Sequence, residues 1–375
     1  MPRLRSAVII ALLAACGDPD PMMTTTDAPS NDGDTDATPP ARHIAYISGY
    51  GPDIAAFELH TASGELSPLT SVAAFKASPS FLAMTPTHLY AASESASRVG
   101  AYSIDRATGA LTFINDQASG GNGPAHVSVD ESGKYVLVAN YGGGTIAVLP
   151  VRSDGGLDAA SQTISPGTNA HEILTAPGNR FVFVPCKGSD YIAQYTFDPQ
   201  TGTLAPNAVP RLMTAAGAGP RHVAFAPDGA HAYLINELDS TLVALAFAAS
   251  TGRLTASQTV STRAAGATGA NTGAEVVVHP SGNFVVGSNR GDNNLAVFRI
   301  AASTGMLTLV GHTATGGMTP RNFTIDPSGA WLYVANQNSS NVVTFKLDAA
   351  SGALTRTGTP ITAPQPSFVG FVALP

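Results

Sequence analysis

The stretch GPRHVAFAPDGAHAYLINELDSTLVALAFAASTGRL, residues 219–254, contains the unit from which the chain is built. It reads as an apolar strand, a Pro-Asp-Gly turn, and a second strand ending at Asn236. A third strand and a Thr-Gly turn before Leu254 complete it. Two further copies follow, TGAEVVVHPSGNFVVGSNRGDNNLAVFRIAASTGML (272–307) and TPRNFTIDPSGAWLYVANQNSSNVVTFKLDAASGAL (319–354). Working outward, turn glycines recur at Gly64, Gly109, Gly156, Gly202, Gly252, Gly305 and Gly352, with spacings of 45, 47, 46, 50, 53 and 47. A period of 40–50 residues with about four short strands per unit is the signature of a β-propeller. Strands such as His222–Ala226 alternate only weakly, as strands covered on both faces do.

Seven Gly-marked units predict an all-β, seven-bladed propeller of four-stranded antiparallel blades. The first unit, from Ile44, lacks its innermost strand. The last segment, Pro366-Ser-Phe-Val-Gly-Phe-Val, reads as that strand. Pairing the two chain ends within the first blade closes the ring and removes free sheet edges.

Composition agrees. Gly and Pro make up 65 of 375 residues while charged residues are only 12%, which disfavours a mainly helical chain. With 44% apolar residues the chain can bury a core. The net charge of −7 is uneven. Setting aside the six Asp of residues 17–40 and Arg3 and Arg5 before them leaves −3 for 41–375. No basic field for nucleic acid is present. Two cysteines, Cys16 and Cys186, exclude a disulfide framework.

Arg3 and Arg5 precede an apolar run, Ala7 to Ala15, too short to span a membrane. It ends Leu13-Ala14-Ala15-Cys16, which resembles a bacterial lipobox. The expectation is a lipoprotein signal peptide over 1–15, with acylation of Cys16. An acidic, Pro/Thr-rich tether (16–43) then precedes a propeller domain (44–375). Such a chain would be lipid-anchored in the cell envelope, outside the cytoplasm and monomeric. The lipid would be its only membrane contact.

In a propeller the innermost strands line a central channel, and ligands sit at a channel mouth. Two repeated places therefore matter. The start of the innermost strand carries Phe81, His126, His171, His222, Glu275, Asn322 and Phe368, with Arg221 and Arg321 one position earlier. The end of the second strand carries Glu94, Asn140-Tyr141, Cys186-Lys187, Asn236-Glu237, Asn289-Arg290 and Asn336-Gln337. In a chain this poor in charge, such a concentration points to an anionic or polyhydroxylated ligand. The alternative is structural: channel polar groups also satisfy backbone or hold water.

Other chemistries find no support. There is no Gly-x-Ser-x-Gly elbow, P-loop, dinucleotide fingerprint or His-Glu-x-x-His. Glu275 and His279 are four residues apart on a strand, about 13 Å, too far to share a metal. His279 is expected to be exposed in its turn. Cys186 is either a buried thiol or one activated by Lys187. Gly142–Gly144 reads as a plain turn rather than a phosphate loop. Trp331 is expected to pack between blades. No cofactor or metal is expected.

Several segments resemble the lactonase family of seven-bladed propellers: Gly-Pro-Arg-His…Pro-Asp-Gly…Tyr…Asn-Glu…Ser-Thr (219–241), Ala170-His171, Ala139-Asn-Tyr-Gly-Gly-Gly144 and Ser288-Asn-Arg-Gly291. That family includes the propeller-type 6-phosphogluconolactonase and the fungal 3-carboxy-cis,cis-muconate lactonizing enzyme. The resemblance covers about 44–375. It implies catalytic roles for His171, Arg221 and Glu237, and ligand binding by Arg290. Glu94 keeps a family acidic position. His126, His222 and Glu275 join the expected substrate-binding set. The implied chemistry is opening of a sugar or carboxylated lactone, with His171 activating water and Arg221 holding the oxyanion. One departure stands at Val184–Asp190, where Cys186-Lys187 occupy a place the family often gives to a carboxylate. The other readings are a non-catalytic ligand-binding propeller and an envelope scaffold.

Overall fold

In a computed structural model, which describes residues 42–374, the chain forms seven four-stranded antiparallel sheets. The expected signal peptide, Cys16 and most of the tether lie outside the described residues. The sheets follow one another as blades. Blade 2 comprises Pro79–Met84, His88–Ser93, Arg98–Ile104 and Leu111–Ala118. Blade 3 begins at Pro124–Val129, blade 4 at Leu174–Thr175, blade 5 at Pro220–Phe225, blade 6 at Gly273–Val278 and blade 7 at Pro320–Ile325.

Blade 1 is made from both chain ends. Pro366–Leu374 is its innermost strand and pairs antiparallel with Arg42–Gly49, from Arg42↔Leu374 to Gly49↔Pro366. Its partner strand starts at Arg42, two residues before the expected boundary. Its hydrogen bonds leave no open edge at the seam.

The second strands of blades 3, 4, 6 and 7 are buried along their whole length. Their near-continuous apolar sequence follows from neighbours on both faces. The core is a ring of inter-blade clusters; one joins Trp331, Tyr333 and Val342 of blade 7 to Ala45, Ile47 and Phe57 of blade 1.

The turn glycines are explained by the same packing. Gly64 has φ of 72°, and a Cβ there would lie 2.3 Å from the Trp331 ring of the preceding blade. Trp331 donates its indole N–H to Thr61 O at 2.8 Å, and Tyr333 donates to Gly64 O at 2.8 Å. Each outer turn thus seats on a side chain of its neighbour, and only glycine combines the left-handed backbone with the missing Cβ. In blade 3 the residue in this place is Gly155, not Gly156. Gly155 has φ of 81°, meets His88, and accepts the Tyr90 hydroxyl at 3.1 Å.

At the same end of the blades, Asp130 and Asp326 close the hairpins between first and second strands. Asp326 accepts N–H groups from Ser328 and Trp331, an Asx-type turn. His279 holds the equivalent place in blade 6. It is buried, contrary to expectation, because its ring bonds the Ser281 hydroxyl and Gly329 O at 2.7 and 2.9 Å. It is a turn-closing residue.

Candidate active site at the channel mouth

The second strands end in Asn at Asn140, Asn236, Asn289 and Asn336, and these side chains turn into the protein. Asn140 donates to Ser119 O at 2.8 Å and Asn289 to Thr262 O at 2.8 Å. Each asparagine anchors the top of its blade. The residue just after the second strand then faces the channel. Tyr50, Glu94, Tyr141, Lys187, Glu237 and Arg290 occupy this position in blades 1 to 6, and all six line one cavity of about 210 Å³. Ala125, His171 and Arg321, from the starts of innermost strands, complete its wall.

A void of about 10 Å³ adjoins it, walled by Ser80, Phe81, Arg221, His222, Glu275 and Ser367, and sharing Ala125, His171 and Arg321 with the cavity. The void is about the size of one water. Phe81 packs here with its ring tilted against His126 at 4.2 Å and edge-on to Phe368 at 4.7 Å between ring centres. His126 lines neither space, so it does not belong to the mouth. It lies 3.8 Å from Glu172 Oε1. Arg221, His222 and Glu275 wall only the void, which is too small for more than a water. They lie beneath the mouth cavity rather than in it.

Local irregularity aims these side chains. Every blade except blade 4 carries a bulge at the start of the innermost strand, as between Pro220 and His222. A bulge breaks the strict alternation of faces, and Arg221 and His222 both reach the void. In blade 4, Pro185 stands opposite His171. It accepts the His171 N–H at 2.9 Å but has no N–H to return. The regular strand is therefore reduced to Leu174–Thr175.

Glu237 is the electrostatic centre. It lies 2.6 Å from Lys187 Nζ, 3.2 Å from Arg221 Nε and 3.1 Å from Arg290 Nη2. Burial pushes its pKa up, but Arg221, Arg290 and Lys187 overcome this and hold it at about 2. It is an anion held among three cations. Arg221 is buried, gives Nη1 to Ala274 O and has its pKa lowered to about 10 by burial and by Arg290. Lys187 also donates to the Tyr141 hydroxyl at 3.1 Å. Glu94 accepts the Tyr50 hydroxyl at 2.6 Å. Arg321 lies over the Tyr50 ring at 5.2 Å, with no carboxylate within 4 Å among the described residues.

His171 is buried beside His222, with ring centres 5.0 Å apart, and beside Tyr141 at 5.5 Å. Burial first, then Arg221 and His222, hold its pKa well below the usual imidazole value. It is a neutral imidazole at the junction of cavity and void. Burial likewise lowers His126 and His222, and raises Glu172 well above the carboxylate range. Cys186 is buried and its thiol is pushed up to about 12 by burial. It is a packing residue, and Lys187 points instead to Glu237 and Tyr141.

The geometry adds Tyr50, Tyr141, Lys187 and Arg321 to the mouth. Arg321 carried a sequence signal, its place beside Asn322 in the repeat. Tyr50 had none, because its blade is split between the termini. Among the described residues no group of three or more His, Cys, Asp or Glu could hold a metal ion.

This combination of fold and mouth has relatives. The chain is 33% identical over 287 residues to the 6-phosphogluconolactonase of Bacillus subtilis, covering 72% of this chain and 81% of that one. It is 33% identical over 234 residues to the 6-phosphogluconolactonase of Pectobacterium carotovorum, covering 62% and 70%. The periplasmic gluconolactonase of Pseudomonas aeruginosa superposes with a TM-score of 0.83 at 28% identity, over 89% of this chain and 100% of that one. Residues 44–371 match the family described as lactonase, 7-bladed β-propeller, and the chain belongs to that family.

Proposed function

We propose that this protein hydrolyses a sugar lactone bearing an anionic group at the wide mouth of its propeller, outside the cytoplasm. The observation that carries the reading is one cavity joining a neutral buried imidazole to an arginine-rich wall. Membership of a lactonase family and the named activities of its relatives support it.

Lactone opening needs a nucleophile and charge stabilisation. Water sits beside His171, which removes a proton as the water oxygen bonds to the carbonyl carbon. The carbonyl oxygen enters the water-sized void beside His171 and becomes an oxyanion facing Arg221, which Ala274 O and Glu237 fix in advance. As the ring C–O bond breaks, the imidazolium returns its proton to the leaving alkoxide. The products are a carboxylic acid and a free hydroxyl, with His171 regenerated. Glu237 keeps the cations in register and carries no proton.

The wall sets the substrate's charge. Lys187, Arg290 and Arg321 face Glu94 and Glu237, an excess of one cation before Arg221 is counted. Lys187 and Arg290 are already paired with Glu237, whereas Arg321 stacks on Tyr50 alone. Arg321 is thus the cation free to meet a carboxylate or phosphate. The lipobox-like Leu13–Cys16 and the periplasmic location in the Pseudomonas neighbour's description support work in the cell envelope.

The test is hydrolysis of paired neutral and anionic aldonolactones, followed by base uptake. Wild type should turn over the anionic member faster. Arg321→Gln should raise KM for it by about tenfold, the loss of a charge-assisted bond, and leave the neutral one unchanged. A protein that binds both lactones but hydrolyses neither is a ligand-binding propeller.

A further inference from the structure

His171 is one end of a hydrogen-bonded chain that runs away from the mouth through blades 5, 6 and 7 to blade 1. Val369 N–H donates to Asn322 Oδ1 at 2.9 Å. Asn322 Nδ2 donates to Glu275 Oε2 at 2.6 Å. Glu275 Oε1 accepts the Val276 N–H at 3.0 Å and faces His222 Nδ1 at 2.8 Å. His222 Nε2 faces His171 Nδ1 at 3.2 Å. All four side chains are buried.

With His222 neutral, the form its burial favours, only one arrangement of protons satisfies this chain. A backbone N–H can only donate, so Asn322 must turn its oxygen to Val369 and its amide to Glu275. The Glu275 carboxylate accepts on both oxygens, so His222 carries its proton on Nδ1. A neutral His222 then has a lone pair on Nε2, and His171 must donate from Nδ1. Arg221 Nη1 lies 3.4 and 3.5 Å from the two ring nitrogens of His222 and donates to Ala274 O, so it does not compete for that lone pair. The lone pair of His171 is left on Nε2, which has no protein partner among the described residues and is not sealed from solvent.

We propose that Asn322, Glu275 and His222 are positioning residues that lock His171 in the Nδ1–H tautomer, so that Nε2 is the basic atom presented to the mouth. This rests on the lactonase reading for its kinetic consequence, though not for the tautomer itself. When His171 takes a proton on Nε2, its Nδ1–H stays bonded to His222, and Glu275 offsets the positive charge of Arg221 nearby. No atom of the chain has to turn during turnover.

Substitution at Glu275 tests the order of donors. In Glu275→Gln the new amide has one oxygen for two acceptor places. Turned to Asn322, the amide opposes another donor; turned to His222, it opposes Val276 N–H and the Nδ1–H. Adding Asn322→Asp supplies an acceptor at the far end and lets the glutamine oxygen return to His222. In the full chain with 15N-labelled histidine, long-range 1H–15N spectra should show both His171 and His222 protonated at Nδ1. Glu275→Gln should lose that single state and lower kcat about 100-fold with KM within threefold. The double variant should regain the spectrum and at least tenfold in kcat. An Nε2–H tautomer at His171 in the wild type overturns the proposal. So does a Glu275→Gln variant within threefold of wild-type kcat, or a double variant that recovers nothing while its melting temperature matches wild type. The spectrum is read whether or not a lactone is hydrolysed. A locked Nδ1–H tautomer in a protein that opens no lactone defeats the functional reading and leaves the relay standing.

Discussion

Blades 4 and 5 are neighbours that carry a histidine at the same place in the repeat, yet they hold it differently. In blade 5 the innermost strand runs unbroken from Pro220 to Phe225, and a bulge turns Arg221 and His222 together onto the void. In blade 4 the strand shrinks to two residues, because Pro185 cannot donate to His171. His222 is therefore clamped between Glu275 and its neighbour, while His171 reaches the mouth cavity. One repeat position yields a buried relay member in one blade and a candidate base in the next.

The sharpest break of this comparison is to remove the freed histidine. His171→Ala should lower kcat/KM by about 10²–10⁴-fold, the usual range for a lost general base, with little change in melting temperature. A loss below tenfold in an active protein would take the base role away from it.

Glu237→Gln attacks the anchor that blade 5 offers to both blades. It leaves Lys187, Arg221 and Arg290 facing one another without their shared anion. Removing one partner from a buried ion cluster costs about 3–5 kcal/mol, to be measured by denaturant unfolding. An unchanged midpoint would mean that the cations relax outward to solvent.

Pro185→Ile would make blade 4 more like blade 5. The restored N–H can bond His171 O and draw residues 171–173 into the ladder, away from the mouth. Activity should fall about tenfold while stability holds or rises, since a regained ladder bond contributes about 1 kcal/mol. Full activity would show that the missing donor does not aim His171.

The smallest effect concerns acid. His126, His171 and His222 are held below their unfolded pKa by burial, so the unfolded chain binds more protons below about pH 6.5. Their contribution is complete above that pH and is lost as pH falls towards their folded values. Glu172, raised by burial, works in the opposite direction. Three imidazoles against one carboxyl predict a lower melting temperature at pH 5.5 than at 7, measured by calorimetry. His222→Gln should flatten the slope.

The composition and spacing of the sequence determined the propeller. Its glycine period, its Asp/Ser-Gly turns and the unpaired last strand follow from local backbone chemistry, which is written residue by residue. The candidate mouth was partly legible for the same reason: in a chain with few charges, His171, Arg221, Glu237 and Arg290 stand out at two repeated places. Tertiary structure decided which of these meet. Bulges and a proline opposite His171 override the strict alternation of strands, sending His126 and His222 below the mouth and lifting His171 into it. Tyr50 joined only when the chain ends paired. The position after the second strand faces the mouth in blades 1 to 6, and in blades 3, 5 and 6 the asparagine before it is spent on anchoring its own blade. Such convergence depends on the angle between blades and on hydrogen bonds between residues 45 to 55 apart in the chain, distances over which a linear sequence carries no geometry.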